Sequence, residues 1–369
     1  MARPSREGGT DLWLPDSGQE RGPGRRRPVF YNRAMAVDRD VGVAVARALR
    51  GSVLAGGARG WEMLAATGVR GLRTLHESDL FGSLELTESG SAAFEVLSGN
   101  VARSRAAGAR ARAWDARRPL ERNGFDFVDL DPYGSPGPFL PAAIEALRPP
   151  GVLAVTATDL RVLASVERGA CERRYGARPI GGRLGPEGGL RILLAWISRS
   201  LAPHDRRIEP LLAYVRDHYV RAYVRVPDRP RDPEPPIGLL EAERFDGPWL
   251  PPNGPFGPLW LGPLGDPAFL ERLALPENAE RPHETGRFLE RLRGEAHIAA
   301  PFYYETNEIA RHLGLVEPPA VDRVVEGLRE GGFPTARTHA RDGAFRTLAP
   351  RSAVEAAARA VASSRPPVR

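Results

Sequence analysis

The first half of the chain alternates short apolar runs with longer segments of helical periodicity. Gly60-Trp61-Glu62-Met63-Leu64-Ala65-Ala66 reads as a strand, and Thr67-Gly68-Val69-Arg70-Gly71 as a turn opening a helix through His76. Further strands are expected at Ser83 to Glu88, Ala109 to Trp114, Phe125 to Leu130 and Gly151 to Thr156, with helices over Val41 to Leu49 and Phe139 to Leu147. Four of the six residues from Phe125 to Leu130 are apolar or aromatic, the pattern of a strand covered on both faces. Strands alternating with helical or connecting segments predict an α/β fold with a mostly parallel sheet.

Beyond residue 205 the pattern changes. Ile208 to Tyr214 and Tyr219 to Val226 read as two antiparallel strands, the second carrying Arg221 and Arg225 on one face, and Pro227 to Pro236 as a turn or linker. Helical periodicity returns over residues 283 to 293, Glu305 to Leu313 and Ala320 to Arg329. Gly331-Gly332 then breaks the chain before two short strands near Ala336 to His339 and Phe345 to Leu348. Helices followed by a hairpin suggest a winged-helix-like element, with Arg337, Arg341 and Arg346 facing a phosphate backbone.

Composition narrows the classes. At 369 residues the chain is long for one core, and two domains are expected. No run reaches the ~20 apolar residues of a membrane helix. Residues 1–27, rich in Arg, Gly and Pro, look like a disordered tail rather than a signal peptide. The chain contains no Lys: all 52 of its basic residues are Arg, which excludes phosphate-loop lysines, Schiff bases and pyridoxal chemistry. A net charge of +6 favours a polyanionic partner. With one cysteine, Cys171, the chain has neither a disulfide framework nor a multi-thiolate zinc site, and a cytoplasmic setting is expected.

Candidate chemistry gathers where the strands end. Pro132 stops the fourth strand and stiffens its turn, so that Asp131 and Tyr133 are presented at the carboxyl edge of the sheet, where open α/β sheets bind ligands. An acid, a proline and an aromatic in that order suit N-methylation of an exocyclic base amine; a plain strand-end turn would read the same way locally. The turn around Gly68 and Gly71 leads into a helix N-terminus, half of a nucleotide-binding fingerprint. Glu88, twenty positions after Gly68, is placed to bond ribose hydroxyls, and Asp115 to accept from an adenine amino group. Asp38-Arg39-Asp40 would at the least cap a helix.

Taken together, Phe30-Tyr31-Asn32, Asp38-Arg39-Asp40, Ala65-Ala66-Thr67-Gly68-Val69-Arg70-Gly71-Leu72-Arg73 and Asp131-Pro132-Tyr133-Gly134 resemble the tRNA guanine-26 N2-dimethyltransferase family. So do Arg174-Tyr175-Gly176-Ala177, Gly189-Leu190-Arg191-Ile192-Leu193-Leu194, Gly257-Pro258-Leu259-Trp260-Leu261-Gly262-Pro263-Leu264 and Thr335-Ala336-Arg337-Thr338-His339. The resemblance implies a Rossmann-like class I methyltransferase domain over residues 28–205. A smaller α+β domain over 206–369 would grip tRNA.

By the same resemblance, Arg39, Thr67, Gly68, Arg70 or Arg73, Glu88, Asp115 and Ala116 line an S-adenosyl-L-methionine site. Asp131 is the catalytic carboxylate, Pro132 offers a carbonyl to the amine, and Phe30 and Tyr133 flank the base. The sequence departs from the family at Glu88, where an Asp is usual, and at Arg33, where a Pro is common. It also lacks the paired cysteines that many relatives carry before Gly257, so neither zinc nor any other metal is expected. The resulting expectation is a monomeric, membrane-free tRNA methyltransferase; the alternatives are action on another tRNA or rRNA guanine, or tRNA binding with reduced activity.

Overall fold

The computed structural model describes residues 2–15, 29–229 and 234–363. Two strands open the chain, β1 (Ala2–Glu7) and β2 (Thr10–Pro15), followed by β3 (Ala58–Glu62), β4 (Phe81–Glu88), β5 (Ala109–Ala113), β6 (Phe125–Leu130) and β7 (Leu147–Ala157). The five from β3 to β7 pair in parallel. With β8 (Glu209–Arg216) and β9 (Tyr219–Val226) they form a seven-stranded sheet in the order β5-β4-β3-β6-β7-β9-β8. The chain starts this sheet at β3, builds outward to β5 and then returns to lay β6 on the other side. The carboxyl ends of β3 and β6 therefore flank the crevice where the strand order reverses.

Apolar residues explain why both faces are covered. Helix Gly185–Leu201 buries Leu190, Leu193 and Ile197 on one face, in the same core as Trp61 and Phe125, whose rings lie 5.6 Å apart. The opposite face is closed by helices Ala36–Leu49 and Val69–Ser78, where Val41, Val45 and Leu72 join Phe127 and Tyr223. No described helix is long and apolar enough to cross a membrane.

Two expectations are corrected here. The residues expected to open a second domain at 206 instead complete the central sheet, because β9 sits between β7 and β8 with both faces covered, and even its Arg221 is fully buried. The lead-in expected to be disordered begins with an antiparallel hairpin, β1 on β2. In β2, Thr10, Leu12 and Leu14 point inward and Asp11 and Trp13 outward, an alternation that the surrounding Arg, Gly and Pro obscure in the sequence. Residues 16–27 of that lead-in lie outside the described residues.

The remaining strands are β10 (Ile237–Leu240), antiparallel to β11 (Phe256–Trp260), and a three-stranded sheet of β12 (Tyr304–Glu305), β13 (Thr335–Arg337) and β14 (Ala344–Thr347) in the order β12-β14-β13. Helices Thr306–Leu313, Val321–Glu330 and Arg351–Ser363 bury Ile309, Val324, Leu328 and Val354 around Phe345, forming a separate small core. Of the three arginines expected to face a phosphate backbone, Arg337 pairs with Asp322 at 2.7 Å and Arg341 lies 3.6 Å from Glu305. Arg346 is instead 3% exposed and fills the seam with the central sheet's helices, bonding Glu187 at 2.9 Å and Glu295 at 3.0 Å.

Candidate active site

At the carboxyl end of β3 the chain turns through Ala65-Ala66-Thr67 and enters helix Val69–Ser78. Gly68 makes this turn with φ +76°, and a Cβ there would lie 2.7 Å from the Leu97 side chain, so the position favours glycine. The helix N-terminus thus faces a cavity of about 350 Å³, a size suited to a small ligand. Glu88, at the end of β4, lines the same cavity. One of its oxygens accepts the Ala66 N–H at 3.2 Å, while the other takes the Ser89 and Gly90 N–H groups at 2.8 and 3.1 Å. Three backbone N–H groups therefore set this carboxylate against the glycine turn.

Asp131 follows β6 and enters the cavity from the other side of the crevice, with Pro132 and Tyr133 beside it. Its Oδ2 accepts from Arg70 Nη2 at 2.6 Å. Arg70 Nη2 also donates to Asp38 at 2.5 Å, and Arg70 Nε lies 3.9 Å from Asp129, which in turn bonds Arg221 at 2.7 Å. The pocket acid is thus the outermost member of a buried chain of alternating charges that reaches through the sheet to β9. Burial works against the ionised form of Asp38, but the Arg70 and Arg221 guanidiniums outweigh it and hold that carboxyl well below its ordinary range.

Glu62, which ends β3 and lines the cavity, goes the other way. Burial, followed by the negative charges of Asp129 and Asp131, pushes its carboxyl up to about 8, with Arg70 opposing. Its oxygen accepts the Gly71 N–H at 3.0 Å.

Phe30 and Tyr133 both line the cavity. The Phe30 and Tyr133 ring centroids are 6.3 Å apart at 65°, and Tyr133 is 65% exposed, leaving its ring face open at the cavity mouth. The turn after Tyr133 is braced: the Gly134 N–H donates to Thr158 Oγ1 at 2.6 Å, and the Tyr175 hydroxyl lies 2.9 Å from Ser135 Oγ and donates to Asp159 at 2.8 Å. This accounts for Tyr175 of the Arg-Tyr-Gly-Ala motif.

Of the residues singled out from sequence, Phe30, Arg39, Thr67, Arg70, Glu88, Asp131, Pro132 and Tyr133 line one cavity. Gly68 sits behind its wall as the helix N-cap. Three are not brought to it. Arg73 is fully buried against Glu7, Asp40 and Glu77, away from the cavity that Arg70 lines. Asp115 stands one strand further along the sheet edge and is held by Arg117 at 2.7 Å, while Ala116 is buried in the core. Missed from sequence were Glu62 and Thr158; an acid ending the first parallel strand was the available signal for Glu62.

A nucleoside-type methyl donor fits this lining. Among the described residues, Thr67 Oγ1 and Arg70 Nη1 are buried without a hydrogen-bond partner, and both belong to cavity-lining residues. An unsatisfied hydroxyl at a helix N-terminus suits the carboxylate of S-adenosyl-L-methionine, and the anchored Glu88 suits its ribose. No group of three or more metal-ligating side chains occurs among the described residues.

A glycine turn, a backbone-anchored acid and an Asp-Pro-Tyr corner at the reversal point of a mainly parallel sheet define an α/β methyltransferase. The family model for N2,N2-dimethylguanosine tRNA methyltransferase matches residues 18–234 and 252–359, and the chain belongs to that family. It is 36% identical over 352 residues to the tRNA (guanine(26)-N(2))-dimethyltransferase of Thermococcus kodakarensis, covering 88% of this chain and 91% of that protein. The enzyme of the same name from Pyrobaculum arsenaticum is 34% identical over 365 residues, covering 96% and 98%. Among solved structures, Trm1 from Pyrococcus horikoshii with S-adenosyl-L-methionine superposes with a TM-score of 0.84 at 29% identity, covering 96% of this chain and 99% of that one.

Proposed function

We propose that the protein is a tRNA (guanine(26)-N(2))-dimethyltransferase, moving methyl groups from S-adenosyl-L-methionine to the exocyclic N2 of guanine 26 and yielding N2-methyl- and N2,N2-dimethylguanosine. The observation that carries this reading is Asp131 in one cavity with the glycine turn, Glu88 and the Phe30–Tyr133 aromatic pair.

S-adenosyl-L-methionine supplies an electrophilic methyl group when bound. The chain's own task is to make a poor nucleophile reactive, because the N2 lone pair of guanine is delocalised into the ring. Arg70 takes Oδ2 of Asp131 and leaves Oδ1 to accept one N–H of the amine, while the Pro132 carbonyl accepts the other. Held this way, the lone pair is aimed at the donor, and positioning of this kind is worth several kcal/mol. The carboxylate also faces the positive charge that develops on nitrogen, and it takes up the proton shed afterwards. A second transfer uses the one N–H remaining on the methylated amine. To reach N2 the guanine must leave its stack, and Phe30 and Tyr133 receive the extruded base.

Residues through Val226 carry the chemistry in this reading, and those from Ile237 grip the tRNA. The order helix Pro282–Glu295, β12, two helices, β13, β14 supports reading this part as a winged-helix-like element that docks phosphates through Arg337 and Arg341. The protein acts as a monomer in the cytoplasm.

Asp131→Ala tests the site directly. Methyl transfer to tRNA falls by at least about 100-fold, while S-adenosyl-L-methionine binding, measured by calorimetry, stays within a factor of about three. Undiminished turnover would remove Asp131 from the chemistry.

A further inference from the structure

The N-terminal hairpin touches the wall of the cavity at two separate places. Glu7, the last residue of β1, is 1% exposed. Its Oε1 accepts from Arg39 Nε at 2.5 Å and from Arg73 Nη1 at 3.1 Å; its Oε2 accepts from Arg39 Nη2 and from the Tyr31 hydroxyl, both at 2.8 Å. Arg39 Nη2 also donates to the Asn32 carbonyl at 3.1 Å, and the guanidinium lies 5.3 Å from the Tyr31 ring centroid. Tyr31, Asn32 and Arg39 all line the cavity, so a single carboxylate outside it fixes one of its walls.

The second contact comes from β2. The Trp13 N–H donates to Asn100 Oδ1 at 2.7 Å, and Asn100 Nδ2 donates to the Trp13 carbonyl at 3.0 Å and to the Thr67 carbonyl at 2.9 Å. Asn100 is fully buried, and its last bond holds the turn whose Thr67 hydroxyl is unsatisfied. Between the two contacts the hairpin turn is seated closely: Gly8 has φ +58°, and a Cβ there would lie 2.5 Å from the Arg73 guanidinium.

Charge tells the two arginines apart. Arg73 keeps Asp40 at 2.8 Å and Glu77 at 3.0 Å if Glu7 is removed. Arg39 forms its one salt bridge among the described residues with Glu7. Without that carboxylate, Arg39 is a buried cation beside the cavity with no counter-ion, free to turn toward Asp131 or to draw water in.

We propose that the hairpin is a positioning element of the methyl-donor site: Glu7 orients Arg39 and Tyr31, and Asn100 couples β2 to Thr67, so that the cavity is shaped for the carboxylate-bearing end of the donor. The inference rests on S-adenosyl-L-methionine being that donor. Glu7 touches no ligand itself; it acts through Arg39. Burial pushes its carboxyl up, yet Arg39, Arg73 and Tyr31 hold it down at about 2, so the device stays charged at any working pH.

The test uses the full chain. S-adenosyl-L-methionine affinity is measured by calorimetry for wild type, Glu7→Gln and Glu7→Asp, each first melted without ligand so that binding is compared well below its transition. Steady-state kinetics on tRNA follow. Loss of an orienting partner behind a ligand-binding group costs about 10–100-fold in affinity, by analogy with metal ligands. Glu7→Gln should therefore weaken donor binding and raise the donor KM by about that factor, with the tRNA KM unchanged, and Glu7→Asp should recover part of the loss.

A purely structural hairpin would lower the melting temperature and leave that split absent, which overturns the proposal. If Glu7→Gln does not fold, Glu7→Asp decides by the same split. A wild-type protein that fails to bind the donor at all would instead sink the functional reading itself, whereas wild-type binding matched by both variants sinks only the hairpin's role.

Discussion

At the scale of single residues, the site is a problem of keeping like charges together. Glu62, Asp38, Asp129 and Asp131 crowd around Arg70, with Arg221 as the second cation. Glu62 resolves part of the imbalance by holding a proton. Its ordinary value of 4.5 in the unfolded chain becomes about 8 when folded, so both states are protonated at low pH, and between these values only the folded state is. The stability this provides is fully present below about 4.5, is lost progressively as pH rises and is gone above about 8.

Glu62→Gln keeps an acceptor for the Gly71 N–H and has no such window. Its melting temperature relative to wild type should therefore rise between about pH 5 and about pH 9, by roughly 2–4 °C for each kcal/mol involved. A difference that stays constant across that range contradicts the assignment. The sequence announces Asp131, Glu88 and the glycine turn because local chemistry dictates them. It is silent on Glu62 and Glu7, whose roles depend on partners 9 and 32 positions away in the chain, Gly71 and Arg39.

At the scale of elements, the C-terminal part is fastened to the sheet's helices by a buried ionic knot. Arg346 on β14 bonds Glu187 of helix Gly185–Leu201 at 2.9 Å and Glu295 of helix Pro282–Glu295 at 3.0 Å, and also donates to the Ala300 and Phe302 carbonyls at 2.7 and 3.0 Å. His339 contacts Glu295 through Nδ1, and its Nε2 accepts the Val215 N–H of β8 at 3.1 Å. Arg346→Ala removes the cation shared by two carboxylates that are 1% and 7% exposed, leaving Glu187 only Arg191 and Glu295 only His339 as charged or ring partners among the described residues. The cost is about 3–5 kcal/mol, visible as a fall of about 10 °C in the thermal midpoint. A shift under about 2 °C would mean that the knot does not hold the elements together.

The strands and helices themselves were largely legible. β6, β8, β9 and helices Pro282–Glu295, Thr306–Leu313 and Val321–Glu330 lie within a few residues of where periodicity puts them, whereas helix Arg351–Ser363 was not anticipated. The hairpin β1–β2 was not, since its alternation spans only Thr10 to Leu14 amid a polar, Arg-rich segment. Arg346 was misread as a surface cation because its two acids come from helices 159 and 51 positions back in the chain.

At the scale of the whole molecule, a net charge of +6 carried entirely on arginines meets a polyanion. Each phosphate neutralised releases counter-ions, so tRNA affinity should fall as a power of the salt concentration, losing about 10³-fold or more between about 50 and 200 mM if six or more phosphates are contacted. An affinity independent of salt in a filter or mobility assay would refute phosphate docking. The arrangement of the molecule was only half visible from sequence. Parallel alternation revealed the sheet, but nothing local says that β8 and β9 join it rather than opening a second domain, because that depends on which edge they reach.

In the proposed reaction, the cavity holding Asp131 serves methylation of N2 of one guanine in tRNA. Incubating the protein with labelled S-adenosyl-L-methionine and unmodified tRNA, then digesting to nucleosides, tests it most directly. Label should appear in N2-methylguanosine and then in N2,N2-dimethylguanosine, mapped to position 26, and not when free guanosine replaces the tRNA. Label in any other nucleoside, or none in tRNA while the donor binds, would contradict it.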